Sequence, residues 1–303
     1  MKHPQSPSSD PQRRSYRLRT LQPIYTHFDY ESAKVAGPGY VALLRPGEGE
    51  SEVAAELLVE RYSYELVILN DQEIRPIVDK KTDHIWGVVL GSYLLPEQLR
   101  SASEDIEQAG EKIAAQSQPY KSNKRGTTFS AHQFGYLLGN GRKQPLPFNN
   151  TCRDREALEV LLQNPMFEEV SRVTSNLFKK YNPCVHAEYK MTTEDLEDEH
   201  PSIVRPFKNT VLPAATFNFG PQTIANHDYD KTNLSYGWCG ITAFGEFDPD
   251  LGGYLVLHKL KLVIWFPPGS TTLIPSAIVK HSNTPLTQET RYSLIQYGSG
   301  HLF

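Results

Sequence analysis

The strongest constraint on the fold is a run of short β-type segments late in the chain with no helical pattern between them. From residue 211 onward, ATFNFG, WCGITAFGEF, GGYLVLHKLKLVIWF, TTLIP, AIVKHS and RYSLIQY read as successive strands. Turn chemistry separates them: DPDLGG at 248–253, PPG at 267–269 and NTP at 283–285. Strands this short and closely spaced, without crossover helices, pair antiparallel and close into a sandwich or jelly roll.

The preceding half has a different texture. Residues 153–181 carry Leu158, Leu161 and Leu162, then Phe167, Val170, Leu177 and Tyr181, at helical spacing, with a break at Asn164-Pro165. A third, more polar helix is expected over 186–200, and a polar surface helix over 95–116. SEVAAELLVERYSYE places Val53, Leu57, Leu58 and Tyr62 on one helix face. Tyr40–Leu44, Leu66–Leu69 and Trp86–Leu90 are short β-type runs. The glycines at 135, 139 and 141 suit a strand–loop–strand. Residues 1–20 read as a flexible basic arm, 21–120 as a mixed N-terminal region, and 121–303 as helices plus a jelly-roll domain. The class is α+β, a double-stranded β-helix core with flanking helices.

Composition excludes several functions. The 303 residues carry a formal net charge of -4, so a wholly basic nucleic-acid binder is excluded and any such contact comes from a local patch. Lys124, Arg125, Arg142 and Lys143 belong to the densest basic material outside the arm; phosphate contact and solvated loop lysines both account for them. No apolar run approaches the ~18 residues that a membrane helix needs. The N-terminus has no apolar signal core, so the expected location is intracellular. Cys152, Cys184 and Cys239 are too few and too scattered for a disulfide framework or a structural zinc site.

One constellation in the β-rich half carries chemistry. NHDYDKTN (226–233) is a polar loop between two strands, KHSN (280–283) ends a later strand, and RYS (291–293) lies on the last. A facial metal triad leaves three positions open for a bidentate 2-oxoacid and dioxygen. An i, i+2 pair in extended backbone shares a face and supplies two ligands. His281, 51 residues after Asp230, supplies the third. Arg291 can fork onto a distal carboxylate, and Ser293 at i+2 points the same way. Asn218 either reaches the same cosubstrate or caps the sheet.

FNFGPQT (217–223), NLSYGWCGITAFGEFDPDLGG (233–253), LVIWFPPGSTTLIPSAIVKHSNTPL (262–286) and ETRYSLIQYGSGHLF (289–303) together resemble the fungal TET/JBP-like 2-oxoglutarate and iron(II)-dependent dioxygenases, the transposon-associated type of mushroom-forming fungi. The resemblance covers roughly residues 125–303. It implies a jelly roll, iron(II), 2-oxoglutarate, and oxidation of methylated bases in DNA, 5-methylcytosine first, with a nuclear location. By position, His281 resembles the distal metal histidine, Asp230 the metal carboxylate, and Arg291 and Ser293 the 2-oxoglutarate clamp.

The chain departs from the family at one ligand. An ungapped alignment places Asp228 where the first metal histidine belongs, with His227 one residue early. The metal set is therefore Asp228, Asp230 and His281, or His227, Asp230 and His281 with a turn or bulge in the loop. GGYLVLHKL also differs from the family's GGHLVLWDL-like segment, at Tyr254, His258 and Lys259. Two functions follow: an active dioxygenase, or a catalytically impaired relative that binds DNA or a 2-oxoacid. Oxidation of a protein or small molecule on the same fold is a third.

Overall fold

The computed structural model describes residues 22–30, 54–114, 130–139, 143–223, 229–286 and 289–303. The arm at 1–20, the run Tyr40–Leu44, the loop candidates His227 and Asp228, and the basic residues Lys124, Arg125 and Arg142 lie outside them.

Thirteen strands are present among the described residues. They are β1 (Ile24–Thr26), β2 (Glu65–Val67), β3 (Ile74–Asp79), β4 (Ile85–Leu90), β5 (Ser130–Leu137), β6 (Leu146–Pro147), β7 (Ala214–Phe219), β8 (Cys239–Glu246), β9 (Leu255–Leu257), β10 (Leu262–Ile264), β11 (Thr271–Ile274), β12 (His281–Asn283) and β13 (Thr290–Tyr297). Nine form one sheet in the order β1-β3-β4-β11-β8-β13-β7-β5-β6, and four form a smaller sheet, β12-β9-β10-β2. The α-helices are α1 (Ala55–Tyr62), α2 (Pro96–Ala114), α3 (Cys152–Gln163), α4 (Pro165–Tyr181) and α5 (Pro183–Glu199).

The alternation along β13 explains the layering. Arg291, Ser293, Ile295 and Tyr297 have the parity that faces the small sheet, where Ile241, Ala243, Leu255, Leu257 and Ile264 form one core. Tyr292 and Leu294 face the other way, onto a second core with Phe217, Phe244, Phe167 and Ile106 from the helical layer. On that outer side Gln296 accepts from Ser171 Oγ at 2.6 Å, tying the strand to α4. The double-stranded β-helix is thus two facing sheets with helices against the larger one.

Local rules set the helix boundaries. Asn164 ends α3 and caps α4: its side chain accepts from Met166 N at 2.7 Å, with Pro165 in the first turn. The break expected at Asn164-Pro165 therefore falls where the structure has it. In α1, Leu58 is buried but Leu57 and Tyr62 are exposed, so among the described residues the expected shared face is used only at Leu58; Val53 lies outside them. The 95–116 helix is α2, and its small residues Ala102, Ser103 and Ala109 are buried with Ile106 and Ile113.

Two strand assignments need correction. GGYLVLHKLKLVIWF is a tight antiparallel hairpin, β9 and β10, turning through a 3-10 helix at His258–Leu260 with Lys261 left-handed at φ 56°. Its apolar run continues because both arms face the core. In AIVKHS only His281 and Ser282 are in a strand, β12. Strands β1 and β3 were not anticipated. Pro76 in β3 argues against a central strand, but β1 pairs only with Ile77–Asp79, so the proline needs no amide donor on that side.

Candidate active site

The site lies between the two sheets. Strand β12 begins with His281, in register with Leu257 on β9, and both side chains belong to the inner face. The loop after β7 returns at Asp230, whose backbone N–H donates to Ser276 O at 3.1 Å. Asn233 closes a turn onto Asp230 O at 2.8 Å, and its side-chain amide donates to Ser276 Oγ at 3.2 Å. These bonds bring Asp230 Oδ2 to 3.9 Å from His281 Nε2, with both side chains largely buried.

The tautomer of His281 follows from its other nitrogen. Nδ1 lies 3.1 Å from Val279 O, and a carbonyl can only accept. Nδ1 therefore carries a proton, and Nε2 is the ring nitrogen that faces the carboxylate. Donors about 2.1 Å from a common ion sit roughly 3 Å apart at adjacent octahedral positions, so this pair would have to close by about 1 Å to share one metal. Among the described residues no group of three His, Cys, Asp or Glu could hold a metal; the third ligand expected from sequence, His227 or Asp228, is outside them.

Arg291 is the other unusual group. It is 2% exposed and has the largest side chain among those fully buried. Its NH1 group donates to Thr223 O at 2.6 Å and lies 3.3 Å from Thr223 Oγ1, while Nε is buried with no hydrogen-bond partner. The guanidinium carbon is 6.0 Å from the Phe247 ring centroid. Among the described residues no carboxylate pairs with it, and burial lowers its pKa to about 10. An uncompensated buried cation costs several kcal/mol, so its surroundings favour an anion.

Ser293 and Asn218 are cross-strand neighbours on β13 and β7, and Asn218 Nδ2 donates to Ser293 Oγ at 2.9 Å. Both side chains are buried beside the Arg291 row. Arg291 itself is opposite Gly245 on β8. A Cβ at Gly245 would sit 2.2 Å from Thr290 O, so only glycine lets β8 and β13 approach this closely there. Lys143 is exposed.

Three contributors were missed in the sequence. Thr223 anchors the guanidinium, and Phe247 lies beneath it. Tyr297 shares the inward parity of Arg291 and Ser293, a rule that would have found it. Its hydroxyl accepts from Gln133 Nε2 at 2.9 Å and from Thr216 Oγ1 at 3.3 Å. Burial, reinforced by the charge of Asp230, raises its pKa to about 12, so it stays neutral. The inner face thus has an anion-seeking end at Arg291 and a neutral polar end at Tyr297, alongside the Asp230–His281 pair.

No family model matches the chain, and no curated protein matches it. Among solved structures it is similar to NgTET1 in complex with 5mC DNA, with TM-score 0.53, 16% identity, and coverage of 78% of this chain and 83% of that one. The two share a fold. Similarity extends to a 2OG-Fe(II) oxygenase family oxidoreductase from Burkholderia pseudomallei (TM-score 0.40, 14% identity, 71% and 86% covered). A Pseudomonas putida prolyl-4-hydroxylase also matches (TM-score 0.39, 10% identity, 70% and 91% covered). The jelly roll inferred from the spacing of strands after residue 211 is therefore the fold the chain has. No helix among the described residues is long and apolar enough to cross a membrane.

Proposed function

We propose that this protein is an iron(II)- and 2-oxoglutarate-dependent dioxygenase that oxidises a methylated base in DNA, 5-methylcytosine first. The observation that carries the proposal is Arg291, buried with no carboxylate partner among the described residues, on the inner face that also holds the carboxylate–imidazole pair 3.9 Å apart. A 2-oxoacid with a distal carboxylate supplies the anion that this guanidinium lacks.

Each residue then has a role. Asp230, His281 and a third group, His227 or Asp228, hold iron(II); the metal supplies the coupling of 2-oxoglutarate decarboxylation to C–H oxidation by dioxygen. Arg291, steadied by Thr223 and Phe247, binds the distal carboxylate of 2-oxoglutarate, and Ser293 with Asn218 adds hydroxyl and amide contacts. Val279 O fixes the ring of His281. The closed, apolar inner faces of both sheets exclude water. A base inside a duplex cannot reach this depth, so it must leave the stack. Lys124, Arg125, Arg142 and Lys143 are the proposed phosphate contacts. The region 21–120, whose strands belong to both sheets, braces the jelly roll.

The test is succinate production from 2-oxoglutarate with iron(II), comparing methylated duplex, unmethylated duplex and no DNA. Stimulation by the methylated duplex alone, with an oxidised base recovered, supports the proposal. Turnover indifferent to DNA would move the substrate to a protein or small molecule. A second reading, a non-catalytic module, is favoured by Asp228 at the position of a metal histidine. No turnover by the natural protein, but turnover after Asp228→His, would select it.

A further inference from the structure

The outer face of β12 carries an arrangement that the proposed site does not use. His281 points inward, so Ser282 points outward, in register with Val256 on β9. There Ser282 Oγ lies 2.8 Å from His258 Nε2, and His258 Nδ1 lies 3.1 Å from Tyr64 Oη. The chain Ser282–His258–Tyr64 runs from the strand holding the metal histidine, through the 3-10 turn between β9 and β10, to the residue preceding β2. Each hydroxyl can donate or accept, so either neutral tautomer of His258 satisfies both bonds. The Tyr64 ring stands edge-on to His258 at 6.0 Å, and Lys261 Nζ sits 4.9 Å from the Tyr64 ring centroid. Ser282 is buried at 4% exposure under this layer.

Strand β12 needs such a tie. It has three residues and, among the described strands, lies at the edge of its sheet with β9 as its one neighbour. Backbone bonds hold its ends: His258 N donates to Lys280 O at 2.9 Å, and Thr284 N to Tyr254 O at 3.0 Å. The side-chain chain grips the middle, one residue from His281. A metal site tolerates little displacement of its ligands, and the groups that orient them typically change affinity ten- to a hundredfold.

We infer that His258 is a positioning residue for the metal site: through Ser282 and Tyr64 it fixes β12, and thereby the inward direction of His281. The inference rests on the proposed metal role of His281.

The test uses the full-length metal-free protein and three variants, Ser282→Ala, Ser282→Thr and Tyr64→Phe. Two quantities are measured: affinity for iron(II) under anaerobic conditions, and amide hydrogen exchange at residues 281–283. Ser282→Ala is expected to weaken iron binding roughly tenfold or more and to speed exchange at 281–283. Ser282→Thr keeps the hydroxyl and should restore both. Tyr64→Phe removes one oxygen at the far end of the chain and should give a smaller change of the same sign, which keeps the test open if Ser282→Ala fails to fold. Iron affinity and exchange equal to the natural protein in Ser282→Ala and Tyr64→Phe would overturn the inference alone. A natural protein that binds no iron would overturn the functional proposal and the inference together.

Discussion

Asp230 and His281 lie 51 positions apart in sequence, on a loop and on the opposite sheet, and their Oδ2 and Nε2 atoms meet at 3.9 Å. With Nδ1 of His281 committed to Val279 O, Nε2 is the ring nitrogen that faces the carboxylate across that gap. On the proposed function, a metal ion is held by both. Asp230→Asn and His281→Ala are each expected to abolish stoichiometric iron(II) binding in calorimetric titration, while circular dichroism stays that of the natural protein. Retained binding in both would remove these two residues from the metal site.

Arg291 is a buried guanidinium held at the expense of stability. Replacing it with methionine, which fills the same space without a charge, should stabilise the ligand-free protein by about 1–4 kcal/mol. The same change should weaken 2-oxoglutarate roughly a hundredfold or more, because the buried charge pair is lost. Thermal unfolding with and without 2-oxoglutarate reads both. The natural protein should gain stability from the ligand, and the variant should start higher and gain nothing.

Much of this was legible in the sequence. The inward parity of Arg291 and Ser293 follows from an alternation that survives folding unchanged, because β13 is regular and paired on both sides. The helix break at Asn164-Pro165 was legible because capping and proline geometry are local. The β9–β10 hairpin was not, since apolar residues on both arms hide the turn at Lys261. Strand β3 was hidden by Pro76, whose tolerance depends on β1 stopping short of it, a tertiary fact. Thr223 and Phe247 gave no signal, because nothing in their own neighbourhoods specifies a guanidinium 68 and 44 positions away.

Gly245 sits opposite Arg291 with φ 111° and no space for a Cβ. Gly245→Ala forces strain and pushes β8 from β13. The expected cost is at least ~2 kcal/mol in denaturant unfolding, together with weakened 2-oxoglutarate binding. A variant as stable as the natural protein would show that the two strands separate freely there.

Stability should also depend on pH through His186. Burial, with Lys179 and Lys190 nearby, lowers its pKa from the ordinary 6.5. The unfolded chain therefore takes up the proton before the folded protein does. Stability from this group is full above 6.5 and falls as pH drops through 6.5 toward the lower folded value. His186→Gln should flatten that part of the profile of unfolding midpoint against pH. An unchanged slope would assign the acid sensitivity to other groups.

The most direct test is an anaerobic titration of the metal-free protein with iron(II) and 2-oxoglutarate, followed by visible absorption. The expected result is a metal-to-ligand charge-transfer band that saturates at one equivalent and is absent from Arg291→Ala. A folded natural protein that develops no band would contradict an iron–oxoacid site.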